Sequence, residues 1–215
     1  HPERLSLISK QANRGQNTSR VAAQFINEKA RVMSQKSVCV FCGSRPGNDP
    51  AYTRDAEALG VGIAQAGLRL VYGAGDVGLM GTVARSVQTA GGTTFGVIPQ
   101  HLVDWEVGKT DLTSYVVTET MHERKKVMFM NCDAVVVLPG GAGSLDELFE
   151  VLTWRQLGLH KKPIYIVNTN DYWSKLMALM DHVVDSGFAD ASLLEFATVV
   201  PDAAATLTAL KTDFS

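Results

Sequence analysis

Cysteine is scarce in this chain of 215 residues: Cys39, Cys42 and Cys132 are all it has. So sparse and odd a set argues against a disulfide framework and for a reducing, cytoplasmic setting. Three cysteines and scattered histidines are also too few for a structural zinc site, so no metal is expected. Cys39-Val-Phe-Cys42 has CxxC spacing, but it lies in an apolar, strand-like run and not at a helix start. Buried structural thiols are therefore expected in preference to redox chemistry. No apolar run reaches the roughly 18 residues that a membrane helix requires, so nothing is expected to span a bilayer. Net charge is only −2, so a general affinity for nucleic acid is not expected. A repeat period, a low-complexity tract and the GxxxxGK[ST] phosphate loop of the P-loop nucleotidases are all missing. What is present is ordinary for a soluble globular domain, at 46% apolar and 20% charged residues.

The charge is unevenly spread. Residues 1–36 hold Arg4, Lys10, Arg14, Arg20, Lys29, Arg31 and Lys36 against Glu3 and Glu28, a balance of +5 that leaves −7 on the remainder. A basic, acid-poor front end with serines is open to reading as a transit-type extension, although it lacks the apolar core of a secretory signal. The preferred reading is a surface helix, because Val21, Phe25, Ile26, Val32 and Met33 recur at near-helical spacing. The start at His1 reads as processing, trimming or a tag. Two regions are expected: a basic, partly helical extension over 1–36 and a catalytic domain over 37–215.

From residue 37 short apolar runs alternate with longer amphipathic stretches. The runs are Val38–Cys42, Arg69–Tyr72, Thr93–Ile98, Tyr115–Thr118, Ala134–Leu138, Ile164–Val167 and Thr198–Val200. Being Val/Ile-rich and nearly continuous, they read as strands buried on both faces. Helical patterns fall near 51–66, 79–90, 121–131, 144–158, 172–186 and 202–211. This alternation predicts a single-domain, doubly wound, mostly parallel α/β sheet of Rossmann type with helices on both faces.

Such sheets bind ligands at the carboxyl ends of their strands. Three of the loops there are glycine-rich: Gly43–Gly47, Gly73–Gly78 and Pro139–Ser144. Each leads into a helix N-terminus, whose free N–H groups favour an anion, so a phosphate-bearing ligand is expected. Gly73-x-Gly75-x-x-Gly78 matches the dinucleotide fingerprint. The acid that would hold an NAD ribose is missing, however, because the next strand ends in Pro99-Gln100-His101 and the first acid is Asp104. Pro139-Gly-Gly-Ala-Gly-Ser-Leu-Asp-Glu147 is more informative. Its N–H groups from Gly141 to Ser144 and the Ser144 hydroxyl suit one terminal phosphate. Ser144 and Glu147 equally fit a capping box, and Asp146 and Glu150 are expected to be solvated. Met121-His-Glu-Arg-Lys-Lys126 places cations on the first turn of a helix, against its dipole, which suggests an anionic ligand nearby unless the face is simply solvated.

Taken together, Pro139–Glu147 and Met121–Met128 resemble the paired PGGxGTxxE and MHxRKxxM motifs of the LOG family, the cytokinin-activating phosphoribohydrolases. Many members of that family carry a "lysine decarboxylase-like" label. Val40–Ser44, Val71–Gly81, Val97–Pro99 and Leu152–Gly158 extend the likeness over about residues 37–190. The resemblance implies hydrolysis of the N-glycosidic bond of a nucleoside 5′-monophosphate, N6-substituted AMP or AMP itself, to free base and ribose 5-phosphate. It implies Arg124 and Glu147 as the catalytic pair. Gly140, Gly141, Gly143 and Ser144 would hold the phosphate, and Gly43, Ser44, Met121 and Lys125 would line the pocket. Glu106 resembles the family's acid on the loop near the nucleotide. A homodimer with the site near its interface is implied, and no cofactor. Ser144 stands where the family has threonine, and Ala74 and Asp76 stand where glycine or small polar residues are common. Asp76 would repel a phosphate unless a cation offsets it. Three other readings remain: a nucleotide carrier without catalysis, an NAD-dependent oxidoreductase, and lysine decarboxylation. The last would need pyridoxal phosphate on a lysine, for which Lys125 and Lys126 are poor candidates.

Overall fold

The computed structural model describes residues 35–103 and 114–215. The helix expected within residues 18–34 and the acid Glu106 lie outside them. The apolar runs form seven strands: β1 (Ser37–Phe41), β2 (Arg69–Tyr72), β3 (Thr93–Pro99), β4 (Ser114–Thr118), β5 (Ala134–Val137), β6 (Ile164–Val167) and β7 (Thr198–Val200). They pair in parallel in the order β4-β3-β2-β1-β5-β6-β7. Between them run α1 (Pro50–Gln65), α2 (Gly78–Thr89), the short α3 (Gln100–Val103), α4 (Met121–Met130), α5 (Ala142–Gln156), α6 (Ser174–Asp185) and α7 (Ala203–Asp213). The α/β prediction holds, with α3 and two 3-10 turns (Thr169–Asp171 and Ala191–Glu195) as unforeseen additions.

The pleat explains the unbroken apolar runs. Along β1, Val38, Val40 and Cys42 pack on one face with Leu59 and Ile63 of α1, Val83 and Val87 of α2 and Leu210 of α7. Cys39 and Phe41 pack on the other with Met128 of α4, Leu148 and Leu152 of α5 and Met180 of α6. Both faces of the central strands are thus covered, and polar alternation is lost. All three cysteines are buried free thiols, as CxxC in a strand implied.

Strands β2 to β4 lie on one side of β1, and β5 to β7 on the other. The switch in direction falls between β1 and β5, which opens a crevice beyond their carboxyl ends. The loop from Cys42 to Asp49 and the turn from Leu138 to Gly141 border it.

Candidate active site

The three glycine loops lock together, and this changes which helix remains available to an anion. Gly43 N–H donates to the Pro139 carbonyl at 3.0 Å, and the Gly43 carbonyl accepts from Leu79 and Met80 N–H at 3.1 and 3.3 Å. The first turn of α2 is therefore satisfied by the protein itself. At α1, Asp49 caps Ala51 N–H at 2.8 Å. Helix α5 follows the N-cap Gly141 and has no side-chain cap. Of the three anion sites expected, α5 alone keeps its first N–H groups free of a cap or another loop's acceptor, among the described residues. Asp76 is offset by Arg85, whose Nη1 lies 2.8 Å from its carboxylate.

The cap of α5 also settles the role of Ser144. Gly141 is the N-cap, in extended backbone, so Ser144 is already the third helical residue and the Ser144–Glu147 capping box does not exist. Ser144 is buried, with its hydroxyl folded over Gly140. A Cβ at Gly140 would stand 2.1 Å from that oxygen.

A true capping box opens α4, between Thr120 and Glu123. The Thr120 hydroxyl accepts from Glu123 N–H at 3.1 Å, and the Glu123 carboxylate accepts from Thr120 N–H at 3.2 Å. The basic turn that follows is not a solvated face. His122 and Lys126 are exposed, while Arg124 and Lys125 are each only 7% exposed. Arg124 donates through Nε to the Val97 carbonyl at 3.1 Å and through Nη2 to the Gly73 carbonyl at 3.3 Å. Its Nη1 lies 3.7 Å from Glu147 Oε1. Glycine at 73 is what admits the guanidinium, since a Cβ there would sit 1.8 Å from Nη2. The Gly73–Gly78 fingerprint is thus accounted for without a dinucleotide.

Glu147 is 8% exposed. Burial pushes its carboxyl up to about 7. Arg124 opposes the rise, Asp146 adds to it, and the smaller effects of Lys125 and Glu150 oppose each other. At 3.7 Å the guanidinium lies beyond hydrogen-bond reach, which is why desolvation prevails. The pair lies near the end of β1: burial raises the Cys42 thiol, Glu147 raises it further, and Arg124 lowers it. Lys125 spans from α4 to α5, with Nζ 2.9 Å from Asp146 and 3.2 Å from Glu150. Asp146 is exposed, as expected, and Glu150 is half-buried; both pair with Lys125.

A cleft of about 370 Å³ opens at the switch point, within the range of roughly 300–1,000 Å³ typical of small-molecule sites. Gly43, Ser44, Gly140 and Gly141 meet there, as do Arg45, Asn48, Tyr52, Leu79 and Tyr172. Gly143 lies exposed on the first turn of α5, and Met121 is 40% exposed at the start of α4. Sequence reasoning missed Arg45, Tyr52 and Tyr172. Arg45 stood inside a loop already marked as phosphate-like; Tyr172 had no local signal, because it reaches Gly140 from 32 positions away.

Fold and site together define a doubly wound α/β protein with a glycine-walled cleft at the switch point and a buried carboxylate–guanidinium pair, Arg124 and Glu147, that is not itself part of the cleft lining. The family model described as "Possible lysine decarboxylase" matches residues 80–210. A Rhodococcoides fascians protein named cytokinin riboside 5′-monophosphate phosphoribohydrolase is 46% identical over 71% of this chain and 78% of its own. An Arabidopsis thaliana protein of the same name is 40% identical over 78% of this chain and 77% of its own. The chain belongs to this LOG family, the "Possible lysine decarboxylase" family. Among solved structures, the molybdenum cofactor carrier protein of Chlamydomonas reinhardtii is similar at a TM-score of 0.62 and 20% identity, covering 83% of this chain and 97% of that one. At that identity the likeness shows the fold alone.

Proposed function

We propose that the protein hydrolyses the N-glycosidic bond of nucleoside 5′-monophosphates, N6-substituted AMP and AMP, and thereby activates cytokinins. The observation that carries this reading is the uncapped N-terminus of α5 with the buried Glu147 one helical turn along, paired with Arg124 of α4. The 5′-phosphate docks on the N–H groups from Gly141 to Ser144, helped by the Ser144 hydroxyl and the positive end of the helix. Being remote from the bond that breaks, it positions the sugar.

Departure of the base from C1′ gives an oxocarbenium-like state. As a carboxylate, Glu147 takes a proton from the attacking water. The water oxygen bonds to C1′, the C1′–N bond breaks, and the proton passes to the departing base nitrogen. A carboxyl held at about 7 both accepts and returns a proton near neutral pH. Arg124, anchored on two backbone carbonyls, keeps Glu147 oriented and offers its remaining N–H groups to ribose or phosphate oxygens. Lys125 is ill suited to a Schiff base, since its ammonium is held between two carboxylates.

A homodimer with the site near its interface suits the apolar side chains exposed on the site's two helices, Met121 and Met130 on α4 and Phe149 on α5. Sedimentation tests it. Three free buried thiols suit a cytoplasmic setting. The decisive assay measures base release from AMP, its N6-isopentenyl form, GMP, CMP and UMP. Release from the adenine nucleotides supports the proposal, whereas binding of AMP with no release from any nucleotide gives the chain to the carrier reading.

A further inference from the structure

In the loop after β6, two consecutive residues other than glycine adopt left-handed backbone: Asn170 at φ 47° and Asp171 at φ 60°. Such backbone persists only where its surroundings hold it. Here the Asn170 side-chain amide donates to the Asp49 carboxylate at 2.8 Å, and Trp173 N–H donates to the Asn168 side-chain oxygen at 2.7 Å. The residue so delivered is Tyr172. Its hydroxyl donates to the Gly140 carbonyl at 2.6 Å, and its ring meets Tyr52 edge-on at 5.4 Å. Tyr52 in turn lies against Gly47, where a Cβ would come 2.7 Å from its ring. Two aromatic rings thus join the loop after β1 to the glycine turn after β5.

The Gly140 carbonyl and the Gly141 N–H belong to one planar trans peptide and point in opposite directions. Flanked by two glycines, that peptide meets little steric resistance to turning over. Holding its carbonyl fixes the direction of the Gly141 N–H, the donor of the N-cap residue that leads into the first turn of α5. We propose that Tyr172 is a positioning residue, whose hydroxyl latches the Gly140–Gly141 peptide so that the N–H groups of α5 receive the 5′-phosphate. The proposal rests on the phosphate site of the preceding section.

Tyr172→Phe removes the hydroxyl and keeps the ring. The dissociation constant of ribose 5-phosphate, measured by calorimetry, is expected to rise about five- to tenfold, the effect of one hydrogen bond. The KM for AMP and the inhibition constant of inorganic phosphate rise by the same factor, while kcat stays within about twofold. In the ligand-free protein the Gly141 amide resonance shifts or broadens, which a role confined to touching substrate would not produce. A dissociation constant within twofold of wild type overturns the latch, as does a fall in kcat with KM untouched. Wild type that binds ribose 5-phosphate but releases no base refutes the hydrolase reading and leaves the latch to be judged by the binding ratio. Wild type that binds neither ribose 5-phosphate nor phosphate refutes the latch outright. If Tyr172→Phe fails to fold, Asn170→Gly decides: it keeps the left-handed backbone, cuts the tie to Asp49, and is expected to weaken binding in the same direction by a smaller factor. Unchanged binding in that variant overturns the proposal.

Discussion

Replacing Glu147 by Gln keeps the shape of the side chain and removes its charge. The carboxyl's ordinary value is 4.5, and burial raises it to about 7 in the folded chain. The folded state therefore holds this proton more tightly than the unfolded state. Its stabilising effect is complete below about pH 4.5 and is lost as pH rises through about 7. At ~1.4 kcal/mol per unit, wild type should lose about 3 kcal/mol of stability from this group across that window. Glu147→Gln should flatten that slope in urea melts run at a series of pH values. Catalysis moves the other way with pH, because the carboxylate is the working form. Wild-type kcat/KM for AMP should rise through an acid limb centred near 7. The variant should lose about a hundred- to ten-thousand-fold in kcat, followed as adenine release by chromatography. AMP binding should persist, since the phosphate cradle we propose is main chain and Ser144. An activity loss below about threefold, or an acid limb unmoved in the variant, would refute the assignment.

Gly73→Ala should cut kcat/KM at least a hundredfold while circular dichroism keeps the fold, because the new Cβ lands 1.8 Å from Arg124 Nη2 and misplaces the guanidinium; a wild-type rate would contradict this. Lys125→Met leaves Asp146 and Glu150 without their shared cation, so the acid limb of the pH profile should move to higher pH, and a limb that stays put would deny Lys125 that influence. Ala74 sits at φ 59°, where an L side chain is strained. Net of the entropy that glycine adds to the unfolded chain, Ala74→Gly should stabilise the protein by up to ~1 kcal/mol, read as a rise in melting temperature.

How much of this was legible in the sequence depended on how local the cause was. Strand positions were readable because two-sided burial writes itself as unbroken Val and Ile. The start of α5 was not, because a glycine N-cap carries no side-chain signature; the helix begins at Ala142 and not near Ser144. The same spacing misled in one place and was overlooked in another. Ser144-x-x-Glu147 lies wholly inside a helix, while Thr120-x-x-Glu123 is a real capping box. The difference is whether the first residue has extended backbone, as Thr120 does at φ −128° and ψ 162°. Cations at the start of α4 were legible as an anomaly, but their burial against Val97, Gly73 and the acids of α5 required the sheet to bring distant segments together. Tyr172 was invisible for the same reason.

A receptacle built from peptide groups is hard to revise by mutation. At Gly73 or Gly140 the smallest addition, one methyl, already lands within 2.1 Å of a working side chain, so drift there ends in failure and not in a new preference. Under the function we propose, divergence in nucleobase preference would then fall on the other side chains that line the cleft, such as Arg45, Asn48 and Tyr52, which can change one at a time while the main chain stays the same.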